Sequence, residues 1–255
     1  MADRGMTARI EQWLGELRMP SIRRDYQKVA KQVAAAGGDF LAYLHTLLEE
    51  EVTDRRARRI ERRIKEARFP QIKRLSDLDP KELPEGISLD LLNEIARGEY
   101  LESATNVIAV GSSGTGESHV CDALGLAACE QSRRVRRYKA IERTGELEQA
   151  QEQHQLHRYL RRIAAFDLVV IDELGYMPIS QHAADLLFQA LSERHERRSV
   201  IVNTNLPFGE WGQVFQIERL AVALLDRLTH NAHVLEMNGE SYRLKSARRR
   251  KKARK

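Results

Sequence analysis

GSSGTGES, residues 111 to 118, places glycines at 111, 114 and 116 and a serine at 118. It follows the apolar run NVIAV (106 to 110) directly and precedes ESHVCDALGLAACEQ, whose apolar positions continue at helical spacing. A glycine-rich turn between a buried strand and a helix lets backbone N–H groups curl around an anion at the helix N-terminus. The pattern is that of a phosphate-binding loop, and it predicts a parallel α/β sheet around it. Gly111, Ser112, Ser113, Gly114, Thr115 and Gly116 form the candidate cradle, and the Ser118 hydroxyl is placed to join a magnesium shell. A working loop carries a lysine just before that hydroxyl. This chain carries Glu117.

The exchange reverses an electrostatic interaction. Two unit charges about 4 Å apart interact by about 4 kcal/mol at an effective dielectric near 20, and about 4 kcal/mol is about a thousandfold in affinity. A glutamate turned towards solvent, or screened by a metal, would cost less. An acid in the first turn of a helix is also favourable when no anion is bound there. Whether the loop holds a nucleotide therefore stays open on charge alone.

Downstream of the loop, short β-rich runs alternate with helical segments, the signature of a parallel sheet. Candidate strands are 106 to 110, 134 to 140, 167 to 172, 199 to 205 and 233 to 237. Arg134, Arg136 and Arg137 mark the second as an edge strand, since buried central strands read as nearly continuous apolar runs. LVVIDEL (168 to 174) delivers Asp172 and Glu173 to a strand end, on the side where open α/β sheets bind ligands. Asp172 is a candidate magnesium ligand, through water, and Glu173 a candidate for orienting or deprotonating an attacking water. SVIVNTN ends its strand with Asn203, Thr204 and Asn205, where a polar side chain could meet a phosphate or that water. Arg227 and Arg243 are candidates for stabilising charge on a transferring phosphoryl group.

Upstream, residues 7 to about 68 read as helices, broken at Met19-Pro20 and Gly37-Gly38 and stopped at Phe69-Pro70. TDRRARRIERRIKEAR (53 to 68) holds eight basic residues against three acids, with a narrow apolar stripe of Ala57, Ile60, Ile64 and Ala67. Its excess charge makes Arg55, Arg56, Arg58, Arg59, Arg62, Arg63 and Lys65 a candidate phosphate-backbone surface for double-stranded DNA. Residues 69 to 88, with Pro70, Pro80, Pro84 and Gly86, read as a connector, followed by a short helix near 89 to 97.

The chain has 255 residues and a net charge of +5, and its last ten, SARRRKKARK, hold seven Lys/Arg, so removing seven charges from +5 leaves −2. Such a block cannot pack and predicts a disordered arm attracted to polyanions. Two cysteines within one helix, Cys121 and Cys129, suggest neither a disulfide framework nor a zinc site. The His154/His157 and His230/His233 pairs lack fitting partner ligands for a metal. No run approaches the roughly 18 apolar residues of a membrane span, and the N-terminus lacks a signal-peptide core, so a cytoplasmic protein with no membrane association is expected.

GSSGTGESH, LVVIDELGYMP, NTNLPFGEW and LLDRLTHNAHVLEMNGESYR, with ARRIERRIKEARFP and NVIAVG upstream, together closely resemble the IstB-like ATP-binding proteins, helper ATPases of bacterial insertion-sequence transposition. The resemblance covers most of the chain. It implies a P-loop NTPase of the AAA+ group, a three-layer parallel sheet with helices on both faces. A small all-helical N-terminal domain precedes the sheet. The implied domains are 1–88 (helical, DNA- or partner-binding, with connector), 89–245 (ATP-binding) and 246–255 (basic tail). Carried over by position, residues 111 to 119, His119 included, become the Walker A motif, and Asp172 and Glu173 the Walker B pair. Asn205 becomes the sensor asparagine, Arg227 the arginine finger and Arg243 a second sensor. Family members usually have prolines at 112 and 113 and lysine at 117. The implied cofactors are ATP and magnesium, and the implied partners are double-stranded DNA, a cognate transposase and further copies of the chain. A helicase loader for replication and a nucleotide-independent DNA-binding adaptor are the alternatives.

Overall fold

The computed structural model describes residues 4–112, 114–176, 179–215 and 217–239, with Gln213 and Val214 described by backbone alone. Ser113, Arg243 and the basic tail therefore lie outside the described residues. The chain divides into two compact units, Met1–Arg62 and Arg63–Lys255.

The first unit is helical, as its patterning predicts. It contains α1 (Arg4–Glu16), α2 (Pro20–Ala35) and most of α3 (Phe40–Ala67), with the unit division at Arg62 falling inside α3. Pro20 opens α2, where a missing N–H costs nothing because the first helical N–H groups have no intrahelical acceptor. The next two, on Ser21 and Ile22, donate to one oxygen of buried Glu51 at 2.8 and 3.3 Å. The second Glu51 oxygen accepts from Arg55 at 3.0 Å. Gly37, at φ +71°, makes the turn between α2 and α3 that a residue with a Cβ resists. Ile22, Val29 and Leu47 form the core of this unit, while Trp13 on α1 is 54% exposed.

The second unit begins with the end of α3. Two 3₁₀ turns, Leu75–Asp77 and Pro80–Glu82, carry the chain to α4 (Leu89–Ala96), which Ser88 caps by accepting from the Leu91 N–H, and to α5 (Glu99–Glu102). Phe69, Leu75, Leu78, Leu83 and Ile87 of the connector pack on the apolar cluster of the second unit.

Then follow β1 (Asn106–Gly111), α6 (Glu117–Glu130), β2 (Val135–Lys139), α7 (Ala140–Glu152), α8 (Leu156–Ala164) and β3 (Leu168–Leu174). The chain continues with α9 (Gln181–Ser192), β4 (Ser199–Thr204), α10 (Trp211–Phe215), α11 (Glu218–Thr229) and β5 (Ala232–Met237). All five strands pair in parallel in the order β2-β3-β4-β1-β5, so β2 is an edge, as its arginines predict. Side chains alternate across the sheet. Val107, Ala109, Leu168, Val170 and Ile201 face α4 and α6, whereas Ile108, Val169, Ile171, Val200 and Val202 face the helices α7 to α11. Trp211 is 1% exposed and stacks on Phe215 within the second of these layers. Among the described residues no helix is long and apolar enough to cross a membrane.

Two features of the sheet set up the site. β3, β4 and β1 are consecutive in the strand order, so the loops leaving their C-terminal ends are neighbours. In addition, β3 pairs with β4 in register up to Ile171↔Val202 and resumes at Leu174↔Thr204. Asp172 and Glu173 thus stand opposite the single residue Asn203, a bulge that re-aims both carboxylates.

Candidate nucleotide site

The loop after β1 has the backbone of an anion cradle. Gly114 and Gly116 take φ of +96° and +109°, conformations that a side chain disfavours. A Cβ on Gly111 would sit 2.1 Å from the Met237 carbonyl oxygen, so only glycine allows β1 to approach β5 there. Thr115 ties the loop down, its hydroxyl donating to the Met237 and Ser112 carbonyls at 2.7 and 3.1 Å. α6 begins at Glu117, with Gly116 as its N-cap.

Glu117 is 6% exposed, which closes the sequence alternative of a carboxylate turned to solvent. Its side chain therefore lies within the protein, in the first turn of α6. A cavity of about 340 Å³ lies between Gly114–Val120 and the connector, whose Asp77, Asp79 and Glu82 line it together with one cation, Lys73. His119 reaches the same connector, 2.9 Å from the Arg74 carbonyl oxygen.

The start of α6 and the ends of β3 and β4 meet here. The Ser118 hydroxyl donates to Asp172 at 3.1 Å, and Asn203 donates to Ser118 Oγ at 2.9 Å and to the same Asp172 oxygen. Asp172 is 3% exposed. Ser118 and Asp172 offer hydroxyl and carboxylate oxygens, the donor type that magnesium selects.

Asn205, the asparagine to which the resemblance assigns a sensing role, is exposed one residue beyond β4 and has no side-chain hydrogen bond among the described residues. The strand carries Asn203, not Asn205, onto the carboxylate, because the bulge places Asn203 opposite Asp172 and Glu173. Glu173 itself is half-exposed, has a φ of +61° and pairs with Lys139 at 3.2 Å.

By sequence Arg137 reads only as an edge-strand marker. Its side chain is 8% exposed: Nε donates to Asp122 Oδ1 at 2.9 Å and Nη2 to Asp172 Oδ2. Lys73 lies 3.5 Å from the other Asp122 oxygen. Burial pushes the Asp122 carboxyl above its ordinary range, with Arg137 and Lys73 opposing the shift. Burial likewise raises the Cys121 thiol, and the nearby Asp172, Asp122 and Glu117 add to that. Strand alternation puts Arg137 on the Val170 face, towards α6, but sequence spacing gave no sign of its partners.

Arg227 lies at the other end of the sheet. It donates to the Ser192 hydroxyl, stacks 4.3 Å from the Phe188 ring centroid, and lines a pocket with Asn106, the first residue of β1. The basic stretch of α3 is partly self-paired: Arg55 and Arg58 reach Glu51, and Arg63 pairs with Glu66 at 3.0 Å. Arg62 also makes an interaction, whereas Arg56, Arg59 and Lys65 are exposed without an ion-pair partner among the described residues. Of the expected stripe, Ile64 and Ala67 join the core of the second unit and Ala57 is exposed.

A family model described as IstB-like ATP binding protein matches residues 12–251. An insertion sequence ATP-binding protein of Sinorhizobium fredii, y4iQ/y4nD/y4sD, is 34% identical over 240 residues, covering 94% of this chain and 80% of that protein. The IS21 ATP-binding protein of Pseudomonas aeruginosa is 33% identical over 240 residues, 94% of this chain and 90% of its own. Among solved structures, the DnaC helicase loader superposes with a TM-score of 0.56 at 14% identity, over 64% of this chain and 95% of that one. The replication initiator DnaA bound to AMPPCP and single-stranded DNA gives 0.53 at 18% identity, over 68% and 51%. At such identities these two show the fold alone, a parallel sheet flanked by helices that this chain shares with them. With a family match spanning nearly its whole length and that architecture beneath it, the chain belongs to the IstB-like ATP-binding proteins of insertion sequences.

Proposed function

We propose that this protein is an ATP-dependent, DNA-binding helper of insertion-sequence transposition, which assembles as an oligomer on double-stranded DNA in the cytoplasm and stimulates a cognate transposase. The observation that carries the nucleotide part is the meeting of Ser118, Asp172 and Asn203 beneath a glycine loop. In this reading the N–H groups of residues 111 to 118 hold the phosphates and Ser118 with Asp172 holds magnesium, which would neutralise phosphate charge. Glu173 orients the attacking water. Asn203, already on the carboxylate, shares the sensing role given to Asn205, and Arg243 acts as a second sensor. Arg56, Arg59 and Lys65 lead the DNA contact, supported by Arg55, Arg58, Arg62 and Arg63. The helical N-terminal part serves DNA or partner binding and the basic tail adds affinity, so DNA binding should weaken steeply with salt.

Buried Glu117 favours one other reading, a DNA-binding adaptor indifferent to nucleotide. The deciding experiment titrates a fluorescent ATP analogue into the chain and its Glu117→Lys variant. Reversing one charge in the phosphate cradle should tighten binding by at least about tenfold. Equal affinity would refute the charge argument. No binding by either, with DNA binding unaffected by ATP, would establish the adaptor instead.

A further inference from the structure

The carboxylate expected to serve the metal already holds a cation of the protein's own. Arg137 occupies the third position of β2, pairs in register with Val170, and points to the sheet face covered by α6. There its guanidinium divides its donors between two acids: Nε to Asp122, one helical turn beyond Ser118, and Nη2 to Asp172. Every oxygen of the Asp172 carboxylate is thereby engaged, Oδ1 by Ser118 and Asn203 and Oδ2 by Arg137. The side chains of Arg137, Asp122 and Asp172 are 8%, 1% and 5% exposed. Charges so buried persist only when matched. Here Asp122 and Asp172 face Arg137 and Lys73, with buried Glu117 also near Cys121.

We infer that Arg137 is a resident counter-ion of the metal carboxylate: from Oδ2 it neutralises the Asp172 charge on which a divalent cation beside Ser118, at the Oδ1 side, would draw, and it sets the affinity of the site for that cation. A divalent ion beside Ser118 would be repelled by the guanidinium on the same carboxylate. The inference rests on reading Ser118 and Asp172 as the metal pair, and it makes Arg137 a positioning residue that tunes metal affinity.

The test titrates Mn2+ into the full chain without nucleotide and follows the free ion by electron paramagnetic resonance. Arg137→Met removes a competing charge-assisted hydrogen bond, so one Mn2+ should bind about tenfold or more tightly. The gain should vanish when Asp172→Asn is added. Because Arg137→Met strands two buried carboxylates, Arg137→Met/Asp122→Asn, which removes one charge of each sign, is measured beside it and should show the same gain. In the unmodified background Asp172→Asn should leave Mn2+ binding unchanged, since Arg137 already neutralises that carboxylate. Unchanged or weaker binding by both Arg137 variants, or a clear loss in Asp172→Asn alone, would overturn the inference. No nucleotide is present, so the result is separate from the analogue titration above: a chain that never binds ATP, even with Glu117→Lys, would refute the nucleotide reading and leave the Mn2+ outcome to be judged by itself.

Discussion

Replacing Asn203 with alanine should cost about 1–3 kcal/mol, because it strips donors from a buried carboxylate and hydroxyl. Asn205→Ala, at an exposed position with no side-chain hydrogen bond among the described residues, should stay within about 0.5 kcal/mol. Denaturant unfolding of the two variants checks the contrast, and equal losses would mean that the Asn203 bonds carry little stability. The pair also marks what sequence can reach at this scale. NTN before Leu-Pro promised a polar group at a strand end, but which asparagine faces the carboxylate depends on the β3 bulge, a feature of pairing between distant segments. Arg137 illustrates the same limit. Its partners lie 15 and 35 positions away, and an arginine in an edge strand reads as surface until the burial of its guanidinium is known.

At the scale of the element, much was legible because the punctuation is local. Proline at 20 and 70 and the glycine pair at 37 and 38 fixed the ends of the first helices, and five β-rich runs became the five strands within a residue or two. The irregularity inside β3 was not legible. LVVIDEL reads as a uniform run, yet Glu173 sits at φ +61°, a conformation that costs an L-residue about 1–2 kcal/mol. That cost falls on the acid proposed to handle the attacking water, in keeping with the concentration of backbone strain at working positions. Glu173→Gly should therefore gain about 0.5–1 kcal/mol of stability, after allowing for the extra freedom of glycine in the unfolded chain. Chemical denaturation decides it. A loss would show that the ion pair with Lys139 outweighs the relief. In a Glu117→Lys background the same change should abolish hydrolysis.

For the whole molecule, the glycine loop made the class of fold readable, but not the strand order. Placing β1 between β4 and β5 requires contacts between segments about a hundred residues apart, which no local pattern announces. The order has a functional consequence. Arg227 lies by the N-terminal end of β1, whereas the loop leaves its C-terminal end, and six strand residues span roughly 20 Å. Within one chain the arginine cannot reach the phosphates, so a role as finger requires a second copy. In a Glu117→Lys background, Arg227→Ala should lower hydrolysis at least about tenfold and leave binding of the ATP analogue unchanged. A parallel loss of binding would place its effect in the folding of the subunit itself. Division into two compact units has a last, optical consequence. The chain has two tryptophans, and each unit holds one: an open indole at Trp13 and a sequestered one at Trp211. Red-shifted emission therefore reports the helical unit and blue-shifted emission the sheet, so one fluorescence spectrum, resolved with Trp13→Phe and Trp211→Phe, follows the melting of each separately.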